Sequence, residues 1–168
     1  MKYRNLLRLL LPFCILISAG ASAQSVREEK KKSEQEQLKV NIDSRHFTFN
    51  AQSAIPMSGR TRQLTGSNTL VINGDSLEAY LPYFGRAYSV TPGETNGGIN
   101  FSSTSFSYDV RKAKNGGWII KIIPKNKKNA STMELSISAD GYSTLQVTSN
   151  YRQMISFYGQ LSGNSKKK

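Results

Sequence analysis

With 168 residues the chain exceeds by little the roughly 100 to 150 of a single-core domain, which excludes a second domain of ordinary size. One histidine and one cysteine are too few for the usual His/Cys metal sites or for a disulfide framework. Twenty-three Lys and Arg against 11 Asp and Glu give a net charge of +12, which steers the chain toward acidic partners.

In chain order, the first expected element is a leader. Lys2, Arg4 and Arg8 precede an apolar run from Leu9 to Ile17, and Ala21-Ser22-Ala23 before Gln24 has the form of a signal-peptidase site. A retained membrane anchor fits less well, because the run falls short of the roughly 20 residues a span requires and Pro12 interrupts it. Residues 1–23 are therefore expected to be a signal peptide. Cys14 leaves with it, and the exported chain keeps 20 basic and 11 acidic residues, a net charge of +9 with no transmembrane segment. A lipoprotein reading would need Cys14 acylated, and the bulky Phe13 before it argues against that.

Residues 24–45 read as a charged tether and an N-terminal helix. Ser25 and Glu28 suit a capping box, and Glu28 with Lys32 is a favourable i,i+4 pair. Only Leu38 and Ile42 put apolar groups on one face, so docking on a core is expected at the helix end alone.

From 46 to 162 the period is two, the signature of half-buried strands. Phe47, Phe49 and Ala51 alternate with polar residues, and Ile55 to Arg60 breaks the pattern. Thr69–Ile72 and Leu77–Leu81 are predicted to pair across Asn73-Gly74-Asp75-Ser76, since Asn-Gly accommodates the positive φ of a tight hairpin. Leu81 to Ser89 packs three aromatic rings, an arginine, a proline and a glycine into nine positions. A glycine-rich loop from Thr91 to Gly98 follows, then a short strand, Ile99–Phe101. Alternating runs at Phe106–Val110, Trp118–Ile122, Met133–Ile137, Leu145–Val147 and Ile155–Leu161 are separated by hairpin-length connections, one of them the basic turn at 124–129. Parallel neighbours would need crossovers of a dozen residues or more, so these five form an antiparallel meander. The expected fold is mainly β: about eight or nine strands in a curved, barrel-like antiparallel sheet with one N-terminal helix, a two-layer sandwich being the second choice. Residues 163–168 are expected to be a disordered basic tail.

No catalytic constellation emerges. His46 is the only histidine and opens a strand beside Arg45, no nucleophile-elbow pattern accompanies the serines, and the carboxylates fall in turns or on the polar sides of strands. The expectation is a non-enzyme with no cofactor and no metal. Rings are better represented: Tyr80, Tyr83, Tyr88, Tyr142, Tyr151, Tyr158, Trp118 and Phe84 could stack on sugar or cover a peptide, although filling the core of a small β-domain is the simpler use of such rings. The candidate ligand-binding residues are Tyr83, Phe84, Arg86, Tyr88, Tyr151 and Arg152, with Arg60 and Arg62 able to join them if the fold brings them close. An acidic glycan, a peptide or an envelope surface is the partner class these residues suit, and export puts nucleic acid last.

Phe47-Thr48-Phe49, Pro56-Met57-Ser58-Gly59-Arg60, Leu81 to Tyr88, Gly97-Gly98-Ile99-Asn100-Phe101 and Val147 to Gly159 together resemble the exported Bacteroidota family called domain of unknown function 4251. The resemblance covers nearly all of the exported chain with its motifs in order. It implies a Gram-negative envelope protein, periplasmic or at the cell surface, and brings no activity, ligand or catalytic residue with it. In such a source Asp75-Ser76-Leu77 fits an Asp-Ser/Thr-apolar pattern for O-glycosylation at Ser76, although a chance tripeptide in a hairpin explains it as well.

Overall fold

A computed structural model describes residues 27–88, 97–125 and 130–164. The leader and its cleavage site, the loop from Ser89 to Asn96, residues 126–129 of the basic turn and residues 165–168 lie outside the described residues.

Helical backbone (α1) runs over 27–43, and the chain divides into two compact units at Glu36/Gln37. In the first, residues 27–36 are almost wholly exposed; Lys30 and Glu34 approach to 4.0 Å, and the Ser33 hydroxyl donates to the Lys30 carbonyl. Such an exposed ion pair contributes at most about 1 kcal/mol.

Among the described residues the second unit holds ten strands: β1 (His46–Pro56), β2 (Arg62–Gln63), β3 (Thr69–Asn73), β4 (Ser76–Leu81), β5 (Ile99–Ser103), β6 (Phe106–Lys112), β7 (Trp118–Pro124), β8 (Thr132–Ile137), β9 (Tyr142–Thr148) and β10 (Ile155–Gly163). They form one antiparallel sheet in the order β5-β4-β3-β1-β10-β9-β8-β7-β6, with β2 beside β1. Two meanders are thus joined where the first strand pairs with the last, from Phe47↔Gly163 to Pro56↔Ile155. The strands at the two ends of this order, β5 and β6, are consecutive in the chain and linked only by Thr104 and Ser105. A two-residue link cannot span a flat nine-strand sheet, so the sheet curls until its edges meet at that corner. The outcome is the barrel-like form.

The core is the inward face of this sheet. Ala54, Phe157, Leu145, Leu135 and Ile120 are successive register partners and all fully buried, forming one layer around the wall. The layer ends on Val110 of the edge strand β6, which is 36% exposed. Each large apolar side chain buried in this way contributes about 1.5–3 kcal/mol.

Two local devices set the wall's shape. Gly74 takes φ 61° at the first central position of the β3–β4 hairpin, where Asn73 pairs with Ser76. In β1 the register slips between Ala51 and Ser53, leaving Gln52 as a bulge. The inward positions accordingly change from Phe47, Phe49 and Ala51 to Ala54 and Pro56, and β1 continues where its alternation breaks in the sequence. At the far end β10 carries on past residue 162, because Gly163 pairs with Phe47 and the Asn164 side-chain amide donates to the Ile72 carbonyl at 3.0 Å.

The second unit also contains the last turns of α1. Ile42 is fully buried, Leu38 packs on the core, and the Tyr108 hydroxyl donates to the Ile42 carbonyl at 3.0 Å, satisfying one of the helix's terminal acceptors. Arg45 follows at φ 57°, a left-handed position that ends the helix, with its guanidinium 4.9 Å from the Tyr108 ring centroid.

Candidate functional site

The segment after β4 returns across one end of the barrel and meets the chain between β9 and β10. Ala87 and Arg152 form an antiparallel bridge, flanked by hydrogen bonds from Tyr88 N to the Tyr151 carbonyl (2.7 Å) and from Gln153 N to the Arg86 carbonyl (3.0 Å). A bridge of this kind sends successive side chains to opposite sides, which sets Arg152 apart from Tyr151 and Tyr88; together with contacts and exposure it divides the six candidate residues into two sets.

Tyr83, Phe84 and Arg152 make the inner set. The Tyr83 hydroxyl lies 2.9 Å from both the Arg86 and the Gln153 carbonyl, so its single proton is shared between main-chain acceptors. The Arg152 guanidinium stands 5.1 Å from the Tyr83 ring centroid and donates to the carbonyls of Gly97 and Gly98 at 2.9 and 3.0 Å. The space between Tyr83, Ile99, Val147, Arg152 and Ile155 does not admit a water molecule. Burial pushes the Tyr83 phenol above its ordinary range, with the Arg152 charge opposing. Phe84 packs partly buried against the core and carries Arg62 on its ring at 4.8 Å. These groups close the barrel end, and their polar atoms are engaged by the chain itself.

Arg86, Tyr88 and Tyr151 make the outer set. Tyr88 is 69% and Tyr151 48% exposed, and Arg86 is exposed as well. The two tyrosines, joined by a main-chain bond, stand beside a cation on a sealed support, an arrangement able to stack on a ring or chain face and to pair with an anion. Arg62 is drawn into the neighbourhood through Phe84, whereas Arg60 is exposed and makes no ring contact of this kind among the described residues.

Gln153 is a participant that pattern reading passes over. Its main chain ties down both Tyr83 and Arg86, and its side-chain oxygen accepts at 3.4 Å from the Arg86 amide and from Ser58. The available signal was its place directly after Arg152, since a residue next to a bridge contributes its main chain.

The remaining expected residues sit apart. Ser76 is half-buried as the first residue of β4, beside an Asp75 side chain that is 95% exposed. His46 Nδ1 donates to the Ser44 carbonyl at 2.5 Å, a local contact at the start of β1. Among the described residues no three His, Cys, Asp or Glu side chains converge to hold a metal ion, and no helix is long and apolar enough to cross a membrane.

Comparison with known proteins matches residues 29–161 to the family model described as Domain of unknown function (DUF4251). The crystal structure of a DUF4251 family protein from Bacteroides eggerthii superposes with a TM-score of 0.59 at 17% identity, covering 78% of this chain and 88% of that one. At that identity the likeness speaks for the fold. No curated protein matches the chain.

Proposed function

We propose a non-enzymatic binding role in the cell envelope for this chain, which belongs to the DUF4251 family. The protein is exported on the leader at 1–23 and captures an acidic glycan, peptide or envelope component on the sealed end of its barrel. One observation carries this reading: Arg86, Tyr88 and Tyr151 are exposed side by side while Tyr83 and Arg152 beneath them are spent on the fold. A rigid, aromatic and cationic face with its support already satisfied loses little entropy on binding.

The test uses the exported chain and polygalacturonate as an anionic glycan. Replacing Arg86 and Tyr88 together by alanine is expected to abolish capture while leaving the melting temperature in place. Unchanged capture, or a loss that merely follows unfolding, defeats the reading. A second reading, a structural or assembly factor whose aromatic segment serves only as core, draws support from the packing around Tyr83; under it the Arg86 and Tyr88 variant leaves capture unchanged, whereas Tyr83→Ala lowers stability without a binding defect. Within the same envelope reading Ser76 is a candidate for O-glycosylation, and the intact mass of the native exported protein decides it.

A further inference from the structure

A second surface lies toward the opposite end of the strands, on the outward face of the sheet. Tyr142 opens β9, and Val147, which borders the Tyr83 clamp, stands five residues further along, about 17 Å at the usual strand rise. Here the sheet forms a groove of about 690 Å³, within the roughly 300–1,000 Å³ of small-ligand sites.

Register explains what the groove presents. Tyr158 pairs with Thr144, Thr144 with Ser136 and Ser136 with Ile119, so these four form one outward row. Tyr142 pairs with Gln160 and therefore stands diagonal to Tyr158, close enough for two rings to form one shelf. Tyr142 is 60% and Tyr158 52% exposed, whereas the inward positions of the same strands are buried. Part of the lining is bare main chain: Gly117 and Gly159 border the groove, and a Cβ on either would run into a neighbouring strand's carbonyl, of Ile137 and of Asn50 respectively.

Its chemistry is selective. In a chain where charged residues make up 20%, none of the described residues lining the groove is charged. An ionic ligand would lose water there without meeting a counter-charge. A purely apolar ligand would strand the amides of Gln52 and Asn115 and the hydroxyls of Ser136, Ser138 and Thr144. A peptide adding itself as a strand would find no free ladder, because β8, β9 and β10 are each paired on both sides. A neutral polyol ring meets all three constraints, with its C–H face on the tyrosines and its hydroxyls against amides and hydroxyls.

We propose that this groove is a binding site for a neutral oligosaccharide, with Tyr142 and Tyr158 as the stacking platform. The site is separate from the Arg86–Tyr88–Tyr151 face and does not depend on it.

The exported chain is titrated with maltotetraose, cellotetraose and mannotetraose up to about 10 mM, well beyond the millimolar range of weak complexes, and followed by amide chemical shifts. At least one sugar is expected to shift Ser136, Thr144 and Tyr158 saturably. Tyr142→Ala or Tyr158→Ala should then weaken it about tenfold or more, as should Ser136→Asp, which puts a charge into the groove. Melting temperatures should hold for all three variants, because each replaced side chain is exposed, and Arg86→Ala should leave the titration unchanged. Absence of saturable shifts with all three sugars, shifts insensitive to these variants, or preference of the same residues for trigalacturonate would overturn the proposal. Loss of polygalacturonate capture at the barrel end would leave it standing.

Discussion

Arg152 stacks on Tyr83, its guanidinium carbon 5.1 Å from the ring centroid, and from that position reaches the carbonyls of Gly97 and Gly98. One side chain thus links the aromatic segment after β4, the start of β5 and the connection between β9 and β10. The barrel end is held by main-chain acceptors and a cation over a ring, and its closure does not rest on apolar contact alone.

Arg152→Lys keeps the charge but loses the planar fork and the broad stack. It is expected to lower stability by about 1–2 kcal/mol, read as a fall in the urea midpoint at unchanged slope. Tyr83→Phe, which removes only the shared hydroxyl, should cost about 1 kcal/mol. A Lys variant as stable as the parent would show that the two glycine carbonyls are satisfied in another way.

Tyr108 supplies a pH prediction. Burial pushes its phenol well above the ordinary value, Arg45 pulling it down and Asp43 adding to the rise. The unfolded chain begins to release this proton near pH 10, whereas the folded chain retains it. The folded state then binds the extra proton, so stability is fully present below about pH 10 and falls as pH rises toward the folded pKa. Chemical denaturation between pH 9 and about 11.5 should show that decline, and Tyr108→Phe should flatten it while lowering stability at pH 7 by about 1 kcal/mol for the lost bond to Ile42. An equally steep decline in the variant would assign the titration to other groups.

Much of this architecture was legible because local pattern and turn chemistry agree. Asn73-Gly74-Asp75-Ser76 marked its hairpin, although Gly74 itself occupies the left-handed position and Asp75 completes the two-residue turn. The alternation from Phe106 to Leu161 specified the second meander, whose strands meet their chain neighbours. The pairing of β1 with β10 was not legible, since no local pattern records a partner about a hundred residues away, and neither was the two-residue β2. The bulge at Gln52 hid half of β1 by shifting its inward phase, so a broken alternation concealed a continuous strand. At the barrel end the sequence identified the crowded segment, but which rings face in depends on the Ala87–Arg152 bridge. The groove was less visible still. Tyr142 and Tyr158 carry a signal, as large rings at polar-side positions of strands, but their adjacency is a matter of register.

Gly159 tests the bulge. It pairs with Ala51 at the register slip, and an added Cβ would overlap the Asn50 carbonyl and crowd Ala51. Neither neighbour is a flexible side chain that could move aside. Gly159→Ala is therefore expected to destabilise by about 3 kcal/mol, measured by thermal or urea unfolding. Gly74→Ala, with open space around its missing Cβ but φ 61°, should cost less, about 1 kcal/mol. Equal costs would mean that β1 relaxes freely around its bulge.

The last turns of α1 pose a question of burial against propensity. Val40 is 63% exposed and Ile42 is fully buried, two residues apart on one helix. If helix propensity dominated, Val40→Ala and Ile42→Ala would both stabilise slightly, since alanine is the better helix former by a few tenths of a kcal/mol. If docking dominates, only the buried residue responds, because its removal leaves a cavity beneath the helix and exposes the surface it covered. Burial outweighs propensity here by an order of magnitude: Ile42→Ala should cost about 3 kcal/mol, while Val40→Ala should stay within about 0.5 kcal/mol of the parent. Hydrogen exchange gives the independent readout. In the Ile42 variant amide protection should fall first around Tyr108, whose hydroxyl bonds to the Ile42 carbonyl, and the meander from β7 to β10 should keep its protection. Uniform loss across the sheet would show instead that the helix end and the barrel unfold as one cooperative unit.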